Sequence, residues 1–114
     1  MRKLIFIVYG GLISLLSLTQ IELLDLTFAY HDKIEHFVAY SVFTLLAYFC
    51  TQSRQWVTAL CIAIIAYGGV LEILQASSTG RIASIADFCT NVLGVMGGVL
   101  IIKLYRTNTS YVNR

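Results

Sequence analysis

Four apolar runs, at about 4–24, 34–51, 56–76 and 85–105, nearly exhaust this chain of 114 residues. Each approaches the roughly 17 to 25 residues that a helix needs to cross a bilayer. Hydrocarbon offers no partner to a backbone amide, so such runs must satisfy their own hydrogen bonds. The ten-residue alternation of a membrane barrel is missing, and helices are the remaining solution. A hydrophobic content of 58% with 12% charged residues and no proline excludes an ordinary soluble domain. The sequence therefore predicts an all-α fold, a four-transmembrane-helix bundle, as one domain over residues 1–114.

The first run follows Arg2 and Lys3 in the manner of a secretory signal. No small-x-small cleavage site comes before Glu22 and Asp25, and three further spans follow, so it is read as a retained helix. Cys50, Cys61 and Cys89 lie in apolar runs, are odd in number and show no C-x-x-C spacing. They read as small packing residues. A net charge of +2 is too slight for a nucleic-acid partner. The sequon Asn108-Thr109-Ser110 falls in a tail placed in the cytoplasm and carries no weight.

Orientation follows from lysine and arginine in the short loops. Arg2 and Lys3 precede helix one, Arg54 sits in the Gln52-Ser53-Arg54-Gln55 turn, and Lys103, Arg106 and Arg114 end the chain. Both termini are expected in the cytoplasm. The outer side then receives Glu22, Asp25, Asp32, Lys33 and Glu35, and the loop Ser77-Ser78-Thr79-Gly80 with Arg81. That loop is the stretch with turn chemistry.

On this topology the beginnings of helices two and four and the end of helix three share one level. Each intramembrane ionisable group costs roughly 2.5 to 3.5 kcal/mol on insertion scales, so a cluster of them signals a site. Residues four apart share a helix face, which lines up Asp32, His36 and Tyr40 with Lys33 beside them. Helix three contributes Gly68, Glu72 and Gln75. Ser84, Asp87, Asn91, Gly94 and Gly98 on helix four form one seam, polar above and glycine below. Gly94 and Gly98, like Gly68 and Gly69 and like Gly10 and Gly11, read as close-packing positions.

Two accounts of the polar set compete. In one, Glu72 or Asp87 pairs with Arg81 or Lys33, His36 and Asn91 add hydrogen bonds, and the network only fixes helix register. In the other, the set is a site. His36 is the candidate proton exchanger, because histidine is the side-chain type that changes charge near neutrality. Glu72 is its natural orienting partner or an acid in its own right. Lys33 and Arg81 suit a phosphate or carboxylate. The candidate catalytic set is thus His36, Glu72 and Asp87, and the candidate binding set is Asp32, Lys33, Tyr40, Gln75, Arg81 and Asn91. His36, Glu72 and Asp87 lack metal-site spacing and have cations beside them, so neither metal nor cofactor is expected. His31 reads as a solvated loop residue, and Ser84 as an N-cap.

In order, Asp32-Lys33-x-x-His36-x-x-x-Tyr40, Glu72-x-x-Gln75 and Arg81-x-x-Ser84-x-x-Asp87-x-x-x-Asn91-x-x-Gly94-x-x-x-Gly98 resemble the VanZ-like family of small bacterial integral membrane proteins. The resemblance implies a compact helical bundle in the bacterial cytoplasmic membrane. It also implies a link to glycopeptide susceptibility, since the name-giving member is associated with teicoplanin resistance. It carries over signature positions without assigned catalytic roles. Relatives often have a proline before the arginine, where this chain reads Ala76-Ser77-Ser78-Thr79-Gly80, so a more flexible loop is expected.

The leading expectation is an outward-facing polar pocket that binds or modifies an anionic cell-envelope amphiphile, a membrane lipid or lipid-linked precursor. As an enzyme it would perform phosphoryl or acyl chemistry, with Lys33 and Arg81 on the anion. The alternatives are a non-enzymatic partner module with a structural polar network and, third, a small proton-coupled transporter. Four helices without a duplicated half are few for transport unless the chain forms a homo-oligomer.

Overall fold

A run of apolar side chains with no proline has nothing to interrupt helical hydrogen bonding, and helices are what form. The structure, a computed structural model, describes residues 1–19, 31–51, 53–79 and 82–112. They build α1 (Arg2–Thr19), α2 (His31–Thr51), α3 (Arg54–Thr79) and α4 (Ile85–Val112). All four are long and apolar enough to cross a membrane. Even α1, with 18 residues, reaches about 27 Å at roughly 1.5 Å per residue.

The helices run alternately up and down. Arg2 approaches Cys50 and Phe6 approaches Phe43, so α1 and α2 are antiparallel. Gly69 meets Phe88 and Glu72 meets Ser84, so α3 and α4 are antiparallel too. This leaves α2 and α4 parallel, and they form the most extensive contact in the bundle. The starts of α1 and α3 and the ends of α2 and α4 accordingly share one end, which collects Arg2, Lys3, Arg54, Lys103 and Arg106.

Phe43 occupies the middle of the core. Its ring packs against those of Phe6, Tyr9, Tyr40 and Tyr67 at centroid distances of 4.8, 5.6, 6.4 and 5.8 Å. Ile13, Ala47, Cys61, Ile64, Leu71 and Val95 complete the buried cluster. Burial of Cys61 agrees with its reading as a packing residue, whereas Cys89 is exposed. Polar atoms inside are tied down: Tyr9 donates to Ala39 O at 2.9 Å, and Tyr67 bonds Gly10 O and Ser14 Oγ. Large apolar side chains such as Leu4, Ile7, Ile62, Val70 and Met96 face outward, as they must in a bundle solvated by lipid.

The structure departs from the sequence expectation at three helix ends and at one glycine. The outer loop expected at 77–80 is helical through Thr79. No proline ends α3 there, and the Ser77 and Ser78 hydroxyls bond back to Ile73 O and Gln75 O at 3.0 and 3.3 Å. α4 continues past the expected end at Tyr105 to Val112, with Thr107, Thr109 and Ser110 bonding back in the same way. α2 begins at His31, which is partly buried and engaged in an interaction rather than a solvated loop residue. Gly11 has open space where a Cβ would stand, so it is no packing position, while Gly10 admits the Phe43 ring. Residues 20–24 of the expected first helix, with Glu22 and Asp25, lie outside the described residues, as do Gly80 and Arg81.

Candidate functional site

The parallel α2–α4 pair holds its register from polar to small residues along one seam. Lys33 meets Asp87, His36 meets Asn91 and Ser41 meets Gly94, at sequence offsets of 54, 55 and 53. An offset that stays within one residue of 54 means two parallel helices staying in step. Glycine makes this possible: a Cβ on Gly94 would lie 2.6 Å from Phe37 O, and one on Gly98 2.7 Å from Thr44 Cβ and 2.8 Å from Ser41 O. At such separations only a hydrogen fits. The Ser41 hydroxyl lies 2.8 Å from Phe37 O and 2.9 Å from Gly94 O, sharing its hydrogen between its own turn and the facing helix.

α3 closes on the same seam at Gly68. A Cβ there would lie 2.9 Å from Tyr40 Cε1 and 3.1 Å from Asn91 Nδ2. Tyr40 is buried among Gly68 and Gly94, which makes it a wedge between three helices rather than an open binding residue. Four turns of sequence logic thus converge on one packed layer.

Above that layer the seam becomes ionic. Lys33 Nζ donates to Asp32 Oδ2 at 2.9 Å and to Asp87 Oδ1 at 2.5 Å. The side chains of Asp32 and Lys33 are 44% and 31% exposed and that of Asp87 11%, so the pair opens at its α2 side. An ammonium has three hydrogens, and two are committed here.

His36 Nδ1 stands 2.8 Å from Asn91 Oδ1. An amide oxygen only accepts, so the imidazole proton belongs on Nδ1 and Nε2 carries the free lone pair. Asn91 is therefore the residue that orients His36, in place of the Glu72 the sequence suggested. Glu72 is buried, and its Oε1 accepts the Ser84 backbone N–H at 3.3 Å. Ser84 Oγ in turn accepts the Asp87 N–H at 3.1 Å, the expected N-cap. Glu72 and Ser84 together tie the end of α3 to the start of α4.

Asp32, Lys33, His36, Glu72, Asp87 and Asn91 are thus brought to one end of the bundle. Gln75 is partly buried on the last turns of α3 and is engaged in an interaction, and Arg81 lies outside the described residues. Among the described residues no group of three His, Cys, Asp or Glu is placed to hold a metal ion. Sequence reasoning passed over Ser41 and Thr44. Their signal was present, since both continue the face of Lys33, Phe37 and Tyr40 by steps of three and four.

Four membrane-length helices with a polar seam at one end define a multi-pass helical membrane protein. The family model described as VanZ/LLP1 matches residues 4–106, nearly the entire chain. The chain belongs to the VanZ/LLP1 family. Comparison with curated proteins and with solved structures gave no match.

Proposed function

We propose that the ionic end of the α2–α4 seam binds the anionic headgroup of a cell-envelope amphiphile in the bacterial cytoplasmic membrane, from the outer side. The observation that carries this reading is Lys33: a partly open ammonium positioned by two carboxylates, which accept two of its three hydrogens. A headgroup oxygen takes the third hydrogen, approaching from the side of the more exposed Asp32. His36 Nε2, oriented through Asn91, accepts a proton or a hydroxyl hydrogen from the same headgroup. The neutral amide that orients His36 cannot stabilise an imidazolium as a carboxylate would, which favours binding over turnover. Membership of the VanZ/LLP1 family and the teicoplanin link implied by the sequence resemblance fit an envelope amphiphile as the ligand.

A second reading has its own support. Among the described residues every buried side-chain polar atom has a hydrogen-bond partner, as a network that only specifies helix register would require. Lys33→Gln and His36→Ala, compared with wild type for membrane abundance and for teicoplanin susceptibility of the producing cells, separate the two. Lost phenotype at normal abundance supports the binding site. Parallel loss of abundance and phenotype in both variants supports the register network.

A further inference from the structure

The opposite end of the same seam is built differently, and its charged side chains are basic. No Asp or Glu occurs in residues 1–21, 36–71 or 88–114, so Arg2, Lys3, Arg54, Lys103 and Arg106 gather at this end with no carboxylate side chain among those stretches. The seam also loses one wall here. An offset of 54 carries Thr51, the last residue of α2, to the level of Tyr105, whereas α4 runs on to Val112. The step leaves a groove of roughly 230 Å³ lined by Tyr48, Tyr105, Arg106, Thr109 and Ser110.

The groove lies at a membrane surface. Tyr105 stands twenty residues beyond Ile85, about 30 Å along the helix and equal to the hydrocarbon thickness. Tyrosines at this depth are the usual interfacial anchors. The groove is open rather than enclosed, unlike a cavity that buries a whole small-molecule ligand. It suits a headgroup whose chains remain outside, and the same turns expose Phe49, Ile101 and Leu104 to acyl chains.

We infer that this groove seats the phosphate of an anionic phospholipid in the leaflet at the end that carries the termini. Arg106 supplies a planar pair of donors matched to phosphate oxygens, and the Tyr48 hydroxyl supplies another. Thr109 and Ser110 already donate to Tyr105 O and Arg106 O at 2.9 and 3.0 Å, so they shape the groove without binding the anion. Commitment to a lipid rather than free phosphate rests on the interfacial depth and the apolar flank. The inference is independent of the Lys33 site at the other end.

The full chain, purified in detergent and titrated with phosphatidylglycerol or phosphatidylcholine, is read by native mass spectrometry for retained lipid. Wild type retains phosphatidylglycerol in preference, and Arg106→Gln weakens that retention about fivefold, the weight of one basic residue at an anionic surface. Arg54→Gln, outside the groove, changes it less than about twofold on the same scale. Should Arg106→Gln fail to accumulate, Tyr48→Phe carries the test, with retention lowered about threefold for one lost hydrogen bond. Equal retention of the two lipids by wild type, or an Arg106→Gln or Tyr48→Phe protein indistinguishable from wild type, overturns the inference. Inorganic phosphate displacing the lipid at comparable concentration overturns the lipid assignment.

Discussion

Glu72 illustrates how a costly residue can be explained by what it touches. Its carboxylate accepts the Ser84 amide hydrogen at the start of α4, a task that needs an acceptor and not a charge. Glu72→Gln keeps the acceptor and is expected to accumulate in membranes like wild type, while Glu72→Ala leaves the buried amide unpaired at about 1 to 3 kcal/mol and lowers abundance. Quantitative immunoblotting of membrane fractions reads both. Glycine positions divide in the same manner. Gly94→Ala and Gly98→Ala would drive a methyl into Phe37 O or Ser41 O, so each should destabilise by about 1 to 3 kcal/mol. Gly11→Ala meets nothing and should be neutral or stabilising by up to about 1 kcal/mol. Thermal unfolding in detergent orders the three.

At the scale of elements, the pairing of α2 with α4 determines the rest. The two lie parallel because α3 returns the chain to the level where α2 began, and the glycines of α4 admit the α2 backbone. Ser41 Oγ lies 3.4 Å from the site of a Gly97 Cβ, so the Ser41→Cys, Gly97→Cys pair, in a chain without Cys50, Cys61 and Cys89, should crosslink under mild oxidation. A shifted control, Ser41→Cys with Met96→Cys, points away to lipid and should not. Much of this was legible in the sequence. The four spans follow from hydropathy, and the spacing of Asp87, Asn91, Gly94 and Gly98 marks one face of α4. The partner of each residue was not legible, because several carboxylates and amides lie at one level and distance alone selects among them. Sequence therefore gave His36 to Glu72, where geometry gives it to Asn91. The end of α3 was missed for a related reason: serine and threonine mark turns in water, but in a helix without proline their hydroxyls bond back to the preceding turn.

The whole molecule is a bundle with two unlike ends. One holds Lys33 between carboxylates, and the other holds basic residues and a groove. We propose that the Lys33 end faces outward, because positive residues favour the cytoplasmic side. Ser78 is exposed at that end, so Ser78→Cys in the cysteine-free chain should react with an impermeant maleimide on intact cells, and reaction only after permeabilisation would reverse the orientation. The most direct test of the proposed headgroup site exchanges its charges. In an Arg106→Gln background, where the groove holds lipid about fivefold more weakly, Lys33→Gln and the swapped pair Lys33→Asp, Asp87→Lys are compared for thermal stability and for anionic amphiphile copurifying with the protein. Moving the ammonium to α4 restores an ion pair but carries the third N–H away from the open α2 side. The swapped pair is predicted to regain stability and still lack the amphiphile, whereas recovery of both, or full retention by Lys33→Gln, would contradict binding at Lys33.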